Sequence, residues 1–375
     1  MRADPAEVRG ACARARRVVV KIGSSTLAAD AGVYARLADA IAARRSASFV
    51  VVSSGAIALG MKKLGYRARP KEMARLQAAA AAGQSLLMRA YEEAFAAREL
   101  SVAQVLLTHA DLADRTRANN ARAALGALLE AGAVPILNEN DSVAVEEIKF
   151  GDNDQLAAMV APLVEADLVI LLSDVAGLLD GAGRRIAVVR DVASEALPHV
   201  RASRSGAGGV GTGGMASKIE AARRATLAGA NVVVADARTP GIVEAVLSGQ
   251  DVGTLFVGAR ERLSAKKSWI AFTLRPRGDV VLDAGAAGAV RAKGKSVLSV
   301  GVLGIRGDFR AGDAVRLVDA EGRELARGLA RCTATEAAAV AGKARANLPP
   351  ALADLAVIVH ADELVVGGHA IDNGP

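Results

Sequence analysis

VPILNENDSVAVEEIKFGDND, residues 134–154, joins an apolar run to a cluster of short polar side chains. Val134 to Leu137 reads as a buried strand. Asn138, Glu139, Asn140 and Asp141 crowd the point where that strand would end. Gly151 then permits a tight backbone path before Asp152, Asn153 and Asp154. A strand interior disfavours such residues, whereas a turn or a binding site favours them. Taken alone, the stretch fits two readings. It is either a solvated loop whose Asx side chains cap turns and open the next helix, or a ligand site at the carboxyl end of a strand.

The neighbouring sequence repeats the same succession. Val18 to Ile22 is β-branched, carries Lys21 inside its end and runs into Gly23-Ser24-Ser25-Thr26. Phe49 to Val52 runs into Ser53-Ser54-Gly55-Ala56, and Leu168 to Leu172 into Ser173-Asp174. Val102–Leu107 and Asn231–Ala235 are further strands. Helical spacing covers Val33–Arg44, Glu72–Arg98, Asn119–Ala131, Leu156–Val164, Met215–Leu227 and Gly241–Leu247. This alternation predicts an α/β fold with a doubly wound, mostly parallel sheet, whose ligands gather at the carboxyl ends of the strands. A lysine at a strand end either snorkels or meets a ligand, and the glycine and hydroxyls directly after Lys21 favour the ligand. Ser54-Gly55 caps a helix and also leaves backbone N–H groups for an anion. Ser205 to Gly214 contains six glycines ahead of the Met215–Leu227 helix, with Lys218 in its first turn. Such a loop can wrap phosphates.

Two motif matches fail on context. Gly209-Val210-Gly211-Thr212-Gly213-Gly214 fits a dinucleotide fingerprint with Asp236 downstream. However, Arg201-Ala202-Ser203-Arg204-Ser205 before it is no strand. Gly55 to Lys62 approaches a P-loop, but Met61 stands where its lysine belongs.

The 375 residues are 52% hydrophobic and 23% charged, which is globular rather than disordered. With only 3% aromatics, the core must be built from small aliphatics. The net charge of +7 suits a polyanionic ligand, but the arginines are scattered. Two distant cysteines, Cys12 and Cys332, form neither a disulfide framework nor a metal-ligand pattern. The four histidines, His109, His199, His360 and His369, have no ligand spacing and read as incidental. No run is long enough for a secretory or membrane-spanning segment, so a cytoplasmic location is expected. After Val257 the composition changes. Residues 1–258 read as the α/β domain, 259–278 as a linker, 279–357 as a small β-rich domain and 358–375 as a tail.

One sheet edge thus collects two lysines, a glycine-rich loop, a serine-glycine turn and an Asp/Asn cluster, with no serine–histidine pair. Phosphoryl transfer to a carboxylate fits this inventory. The acceptor is already ionised at neutral pH (about 4.3 for Glu). It needs in-line positioning and cations on the transferring oxygens. Lys21 and Lys218 can supply those cations, Asp154 can hold both ammonium groups, and Asp141, Asp152 and Asn153 can grip an amino-acid substrate.

Val19-Val20-Lys21-Ile22-Gly23-Ser24-Ser25, Ser54-Gly55-Ala56-Ile57, Asn138-Glu139-Asn140-Asp141, Gly151-Asp152-Asn153-Asp154 and Gly211-Thr212-Gly213-Gly214-Met215-Ala216-Ser217-Lys218 follow in this order. The set closely resembles the glutamate 5-kinases of the amino-acid kinase superfamily, over nearly the whole chain. The β-rich end resembles their PUA domain. The resemblance implies ATP-dependent conversion of L-glutamate to L-glutamyl 5-phosphate, the first step of proline synthesis. It implies Lys21, Lys218 and Asp154 as catalytic residues, and Ser54, Gly55, Asp141, Asp152 and Asn153 as the glutamate site. Lys21, Ser173, Asp174, Thr212, Gly213, Gly214, Met215, Ala216, Ser217 and Lys218 would form the ATP site. Family members often have threonine at the position of Ser173; the hydroxyl is kept.

Mg²⁺ is also implied, as are L-proline as inhibitor, a homo-oligomer, and a glutamyl phosphate reductase that takes the product. No carboxylate can be named as a direct metal ligand, so the ion is expected on phosphates and water. One rival is another acyl-phosphate kinase, such as acetylglutamate kinase. It has no free α-ammonium to hold, and the acidic cluster counts against it. A PUA-type RNA-binding protein is the other, with Arg291, Lys293, Lys295, Arg306 and Arg310 as its basic face. With few aromatics for base stacking, that face reads as solvated surface and no specific RNA binding is expected.

Overall fold

The computed structural model describes residues 5–144, 153–199, 214–259 and 264–366. The chain divides into two compact units, Met1–Arg262 and Leu263–Pro375. In the first, β1 (Arg17–Ile22), β2 (Ser48–Ser53), β3 (Val102–Leu107), β4 (Val134–Glu139), β5 (Leu168–Ser173), β6 (Val188–Val189), β7 (Asn231–Asp236) and β8 (Thr254–Phe256) make one sheet. Its order is β3-β4-β2-β1-β5-β7-β8-β6. Every pairing is parallel except β7 with β8. The chain places β2 on one side of β1 and returns on the other with β5. The switch point of the sheet therefore lies at the carboxyl end of β1, where open α/β sheets bind ligands.

Both faces of the sheet are covered, which is why its strands read as continuous apolar runs. Val18, Val20 and Ile22 of β1 pack with Val51, Ile136 and the Val33–Ala42 and Met73–Ala96 helices. Val19 packs oppositely with Val50, Val52, Leu137 and the Asn153–Leu163 and Met215–Leu227 helices. Side chains alternate along a strand, so Lys21 shares the face of Val19. That register aims it at the helix opening on Asn153.

Two boundaries differ from the sequence reading in ways that matter. β4 continues through Asn138 and Glu139, both buried, so these polar residues belong to the sheet and not to a loop. The following helix begins at Asn153 rather than Leu156, placing Asn153 and Asp154 in its first turn. An acid there is favoured by the helix dipole. β6 and β8 were not anticipated, because two- and three-residue strands carry too short a pattern to detect.

The Ala56–Lys63 and Met73–Ala96 helices touch backbone to backbone. A Cβ on Gly60 would lie 1.7 Å from the Ala79 carbonyl oxygen, and one on Gly83 would lie 1.8 Å from that of Ala56. Neither obstacle is a flexible side-chain end, so the helices must part to admit a methyl group. Gly83→Ala is expected to destabilise the chain by about 3 kcal/mol, the upper range for overpacking. It should lower the urea midpoint at an unchanged slope. An unaltered midpoint would mean the helices separate at no cost.

The second unit holds a five-stranded sheet, β11 (Val302–Gly307), β9 (Gly278–Leu282), β12 (Ala314–Val318), β13 (Glu324–Leu329) and β15 (Leu364–Val366) in that order. A two-stranded ladder pairs β10 (Val297–Leu298) with β14 (Val357–Val359). The stretch read as a linker, 259–278, contains an α-helix, Ala265–Phe272, whose N-cap Ser264 accepts from the Lys267 N–H. Ile270 of this helix is fully buried; the surrounding Lys and Arg residues masked that signal. The segment read as a tail from 358 instead supplies β15, which pairs with β13. Residues 367–375 lie outside the described part. Among the described residues, no helix is long and apolar enough to cross a membrane.

Candidate active site

Two alanine-lined helices meet over the end of β1. On the Asn153–Leu163 helix, Asp154, Ala157, Ala158 and Ala161 share one face. On the Met215–Leu227 helix, Lys218, Ala221, Ala222 and Ala225 do the same, and all eight are buried. The i, i+3, i+4, i+7 spacing puts each charge at the N-terminal end of a stripe of small residues. Small side chains let the helices approach closely, so the two charges meet beneath them.

They meet at Asp154. Lys21 Nζ lies 2.7 Å from its Oδ1 and Lys218 Nζ lies 3.1 Å from its Oδ2. Asp154 is 1% exposed, and Lys21 and Lys218 are 7% and 6% exposed. Burial opposes the carboxylate's charge, but Lys21 and then Lys218 outweigh it and hold the carboxyl below its ordinary range. One negative and two positive charges leave a net cation at the switch point. Gln155 Nε2 donates to the Ser217 carbonyl at 3.1 Å and ties the two helices together beside this cluster.

Toward β2 and β4 the site is a chain of amides. Asn153 Nδ2 donates to the Ser53 carbonyl (3.0 Å), Ser54 Oγ (2.7 Å) and Asn138 Oδ1 (3.1 Å). Asn138 Nδ2 donates to Gln84 Oε1 at 3.0 Å. Beneath it Tyr91 donates its hydroxyl to Ser53 Oγ at 2.9 Å. Gly55, at φ +104°, turns the chain out of β2 into the Ala56–Lys63 helix, whose start has no side-chain cap. Such a positive φ is easy only for glycine. Asp141 occupies the turn after β4, in which Val143 and Ala144 donate their N–H groups to the Asn140 carbonyl. Glu139, buried at the end of β4, has an oxygen 3.3 Å from His109 Nδ1. His109, read from sequence as incidental, thus fastens the start of the Asp141 turn to the end of β3.

Toward β5 and β7, Ser173 Oγ donates to Asp174 Oδ1 at 3.1 Å, and Arg238 donates to the Asp174 carbonyl at 2.7 Å. Gly214 is an N-cap without a side-chain bond. Met215, Ala216 and Ser217 open the helix behind it, whose first N–H groups can receive an anion. Asp152, Thr212 and Gly213 lie outside the described residues. The structure therefore gathers Lys21, Asp154 and Lys218 at β1, Ser54, Gly55, Asn153 and Asp141 toward β4, and Ser173, Asp174 and Gly214–Lys218 toward β7. Sequence reasoning missed Gln84, Asn138 as a side-chain partner, and Gln155. For Gln84 a signal existed: it continues the buried stripe Leu87, Met88, Tyr91 and Phe95 one turn earlier.

The model of the amino acid kinase family matches residues 16–236, and that of the PUA domain matches residues 278–349. The chain is 48% identical over 369 residues to the glutamate 5-kinase of Myxococcus xanthus, covering 96% of this chain and 98% of that one. It is 46% identical over 371 residues to that of Ralstonia nicotianae, covering 96% and 99%. Against that of Moorella thermoacetica the identity is 44% over 376 residues, again covering 96% and 99%.

Proposed function

The chain belongs to the amino acid kinase family, and we propose that it transfers the γ-phosphoryl group of ATP to the side-chain carboxylate of L-glutamate. The product is L-glutamyl 5-phosphate, whose formation opens proline biosynthesis. The observation that carries this reading is the buried Lys21–Asp154–Lys218 bridge at the switch point of the sheet. The glutamate γ-carboxylate oxygen attacks the γ-phosphorus in line as the bond to the β-phosphate oxygen breaks, and ADP leaves with that electron pair. No proton need be removed from the acceptor. The work left to the protein is positioning and charge stabilisation.

Lys21 approaches the migrating group from the sheet and Lys218 from the helix, while Asp154 sets their spacing. Ser54, Gly55 and Asn153 hold the glutamate, and Asp141 with Asp152 receives its α-ammonium. Ser173, Asp174 and the segment Thr212–Lys218 take the nucleotide. Among the described residues no group of three or more acidic, His or Cys side chains is placed to hold a metal, and Asp154 is engaged by both lysines. Magnesium would enter with ATP and would there neutralise charge on the phosphate groups. L-proline, which shares the α-carboxylate and a cationic nitrogen, acts as a competitor for the amino-acid half of the site.

Hydroxamate formation from glutamate, ATP and hydroxylamine tests the reaction, with N-acetylglutamate as the alternative acceptor. Turnover of the acetylated compound alone would sink the assignment. Asp141→Asn is expected to raise the glutamate KM about 10- to 100-fold, the worth of a charge-assisted contact, with kcat little changed. An unchanged KM would remove Asp141 from substrate binding.

A further inference from the structure

We propose that Gln84 is a substrate-specificity residue whose side-chain N–H donates to the α-carboxylate of the amino acid. The inference rests on glutamate being the acceptor.

A backbone N–H can only donate. Glu139 N donates to Asn138 Oδ1 at 2.9 Å, so the Asn138 NH₂ group must face Gln84. A carbonyl can only accept, and the Ser53 carbonyl takes Asn153 Nδ2, which fixes that amide independently. The Gln84 oxygen is therefore committed to Asn138, and its NH₂ group points onward. That Nε2 is enclosed and has no hydrogen-bond partner among the described residues. At the other end, Ser54 Oγ accepts from Asn153 and keeps its own proton to donate. Both ends of the chain thus present donors, a polarity that suits a carboxylate. An enclosed donor without an acceptor is costly, so a carboxylate that accepts from it is favoured.

Strand order selects which carboxylate. The lysine bridge lies at β1, and Asn138 lies two strands away at β4. Two strand spacings are about 10 Å, the reach of an extended glutamate hydrogen-bonded at both ends. With the γ-carboxylate at Lys21, the α-carbon lies over β4, between Asp141 and Gln84. The Asp141 turn is fastened to the Met73–Ala96 helix by Gln77 Nε2 donating to the Ala144 carbonyl at 3.3 Å, and by Leu76 against Ala144.

The test compares L-glutamate with L-glutamic acid α-amide, which keeps the reacting γ-carboxylate, in the full chain and in Gln84→Glu and Gln84→Met. Both replacements preserve helix propensity. Each should raise the glutamate KM about 10- to 100-fold, with kcat and the ATP KM within about twofold. In Gln84→Glu the new carboxylate accepts from the α-amide. Its preference for glutamate over the amide should therefore fall at least tenfold relative to wild type, whereas Gln84→Met gains no such accommodation. Equal KM increases for both substrates in Gln84→Glu, or an unchanged glutamate KM in Gln84→Met, would overturn the assignment. A wild-type chain that forms no hydroxamate from glutamate refutes the parent reading instead and takes this one with it.

Discussion

Asp154→Asn is expected to cut kcat by about 10³-fold or more and to cost about 3–5 kcal/mol of stability, the range for breaking a buried ion pair on one side. The amide is nearly isosteric, so packing is unchanged and the effect isolates charge. Lys21 and Lys218 now sit on one carboxylate. Without it, two buried ammonium groups face each other with no anion between them. MgATP supplies anionic oxygens to the same place, so its stabilising effect in a thermal melt should be larger for Asp154→Asn than for wild type. A purely structural aspartate predicts the opposite, namely lost ATP binding along with lost stability.

The pH dependence follows with a definite sign. The folded-state carboxyl is held below its ordinary range by its cationic partners. Its contribution is therefore complete above the unfolded value of about 4 and is lost only as pH falls through the lower folded value. Wild-type stability should show this contribution to its acid limb, and Asp154→Asn should lack it. Identical acid limbs would show that the carboxylate is not coupled to the lysines in solution.

The parts of this site legible in the sequence were chemical anomalies inside regular patterns. Lys21 is a charge within a β-branched strand, Lys218 a cation at the wrong end of a helix dipole, and Asp154 an acid at the start of an alanine-rich stripe. The two lysines each violate a local rule, and proteins do that where function compensates; Asp154 obeys the dipole rule and stood out only through the Gly-Asp-Asn-Asp run. The eight-stranded sheet was legible from its six longer strands, while β6 and β8 were too short to carry a period. Gln84 carried only an indirect signal, its place one turn before the stripe Leu87, Met88, Tyr91 and Phe95. Its neighbours, AAAAAGQS, read only as part of an alanine-rich helix, which gives the glutamine no role. The backbone contact at Gly60 and Gly83 brings that turn against the Ala56–Lys63 helix, and close approach is not written in hydropathy. Asn138 looked like loop because strands disfavour asparagine, yet its side chain is satisfied by Asn153, Gln84 and the Glu139 N–H. Tertiary partners overrode the propensity.

Lys218→Ala should separate catalysis from scaffolding. We expect kcat to fall about 10³-fold, within the range for removing a charge that acts on a transferring phosphoryl group. The glutamate KM should stay within about threefold, since Lys218 lies across β1 from Ser54 and Asn138. Stability should change by about 1 kcal/mol or less. Deleting this cation leaves Lys21 and Asp154 as a matched pair, so the buried cluster goes from a net cation to neutral. Lys218→Arg keeps the charge but replaces a compact ammonium with a longer planar fork, and should recover only a minor part of the rate. Asp154→Asn therefore loses turnover and stability together, whereas Lys218→Ala loses turnover alone. That contrast is the signature of a carboxylate that arranges two cations and a cation that meets the substrate. If Lys218→Ala instead unfolds as readily as Asp154→Asn while its folded fraction turns over normally, Lys218 is a structural counterion and the phosphoryl group is stabilised by other residues.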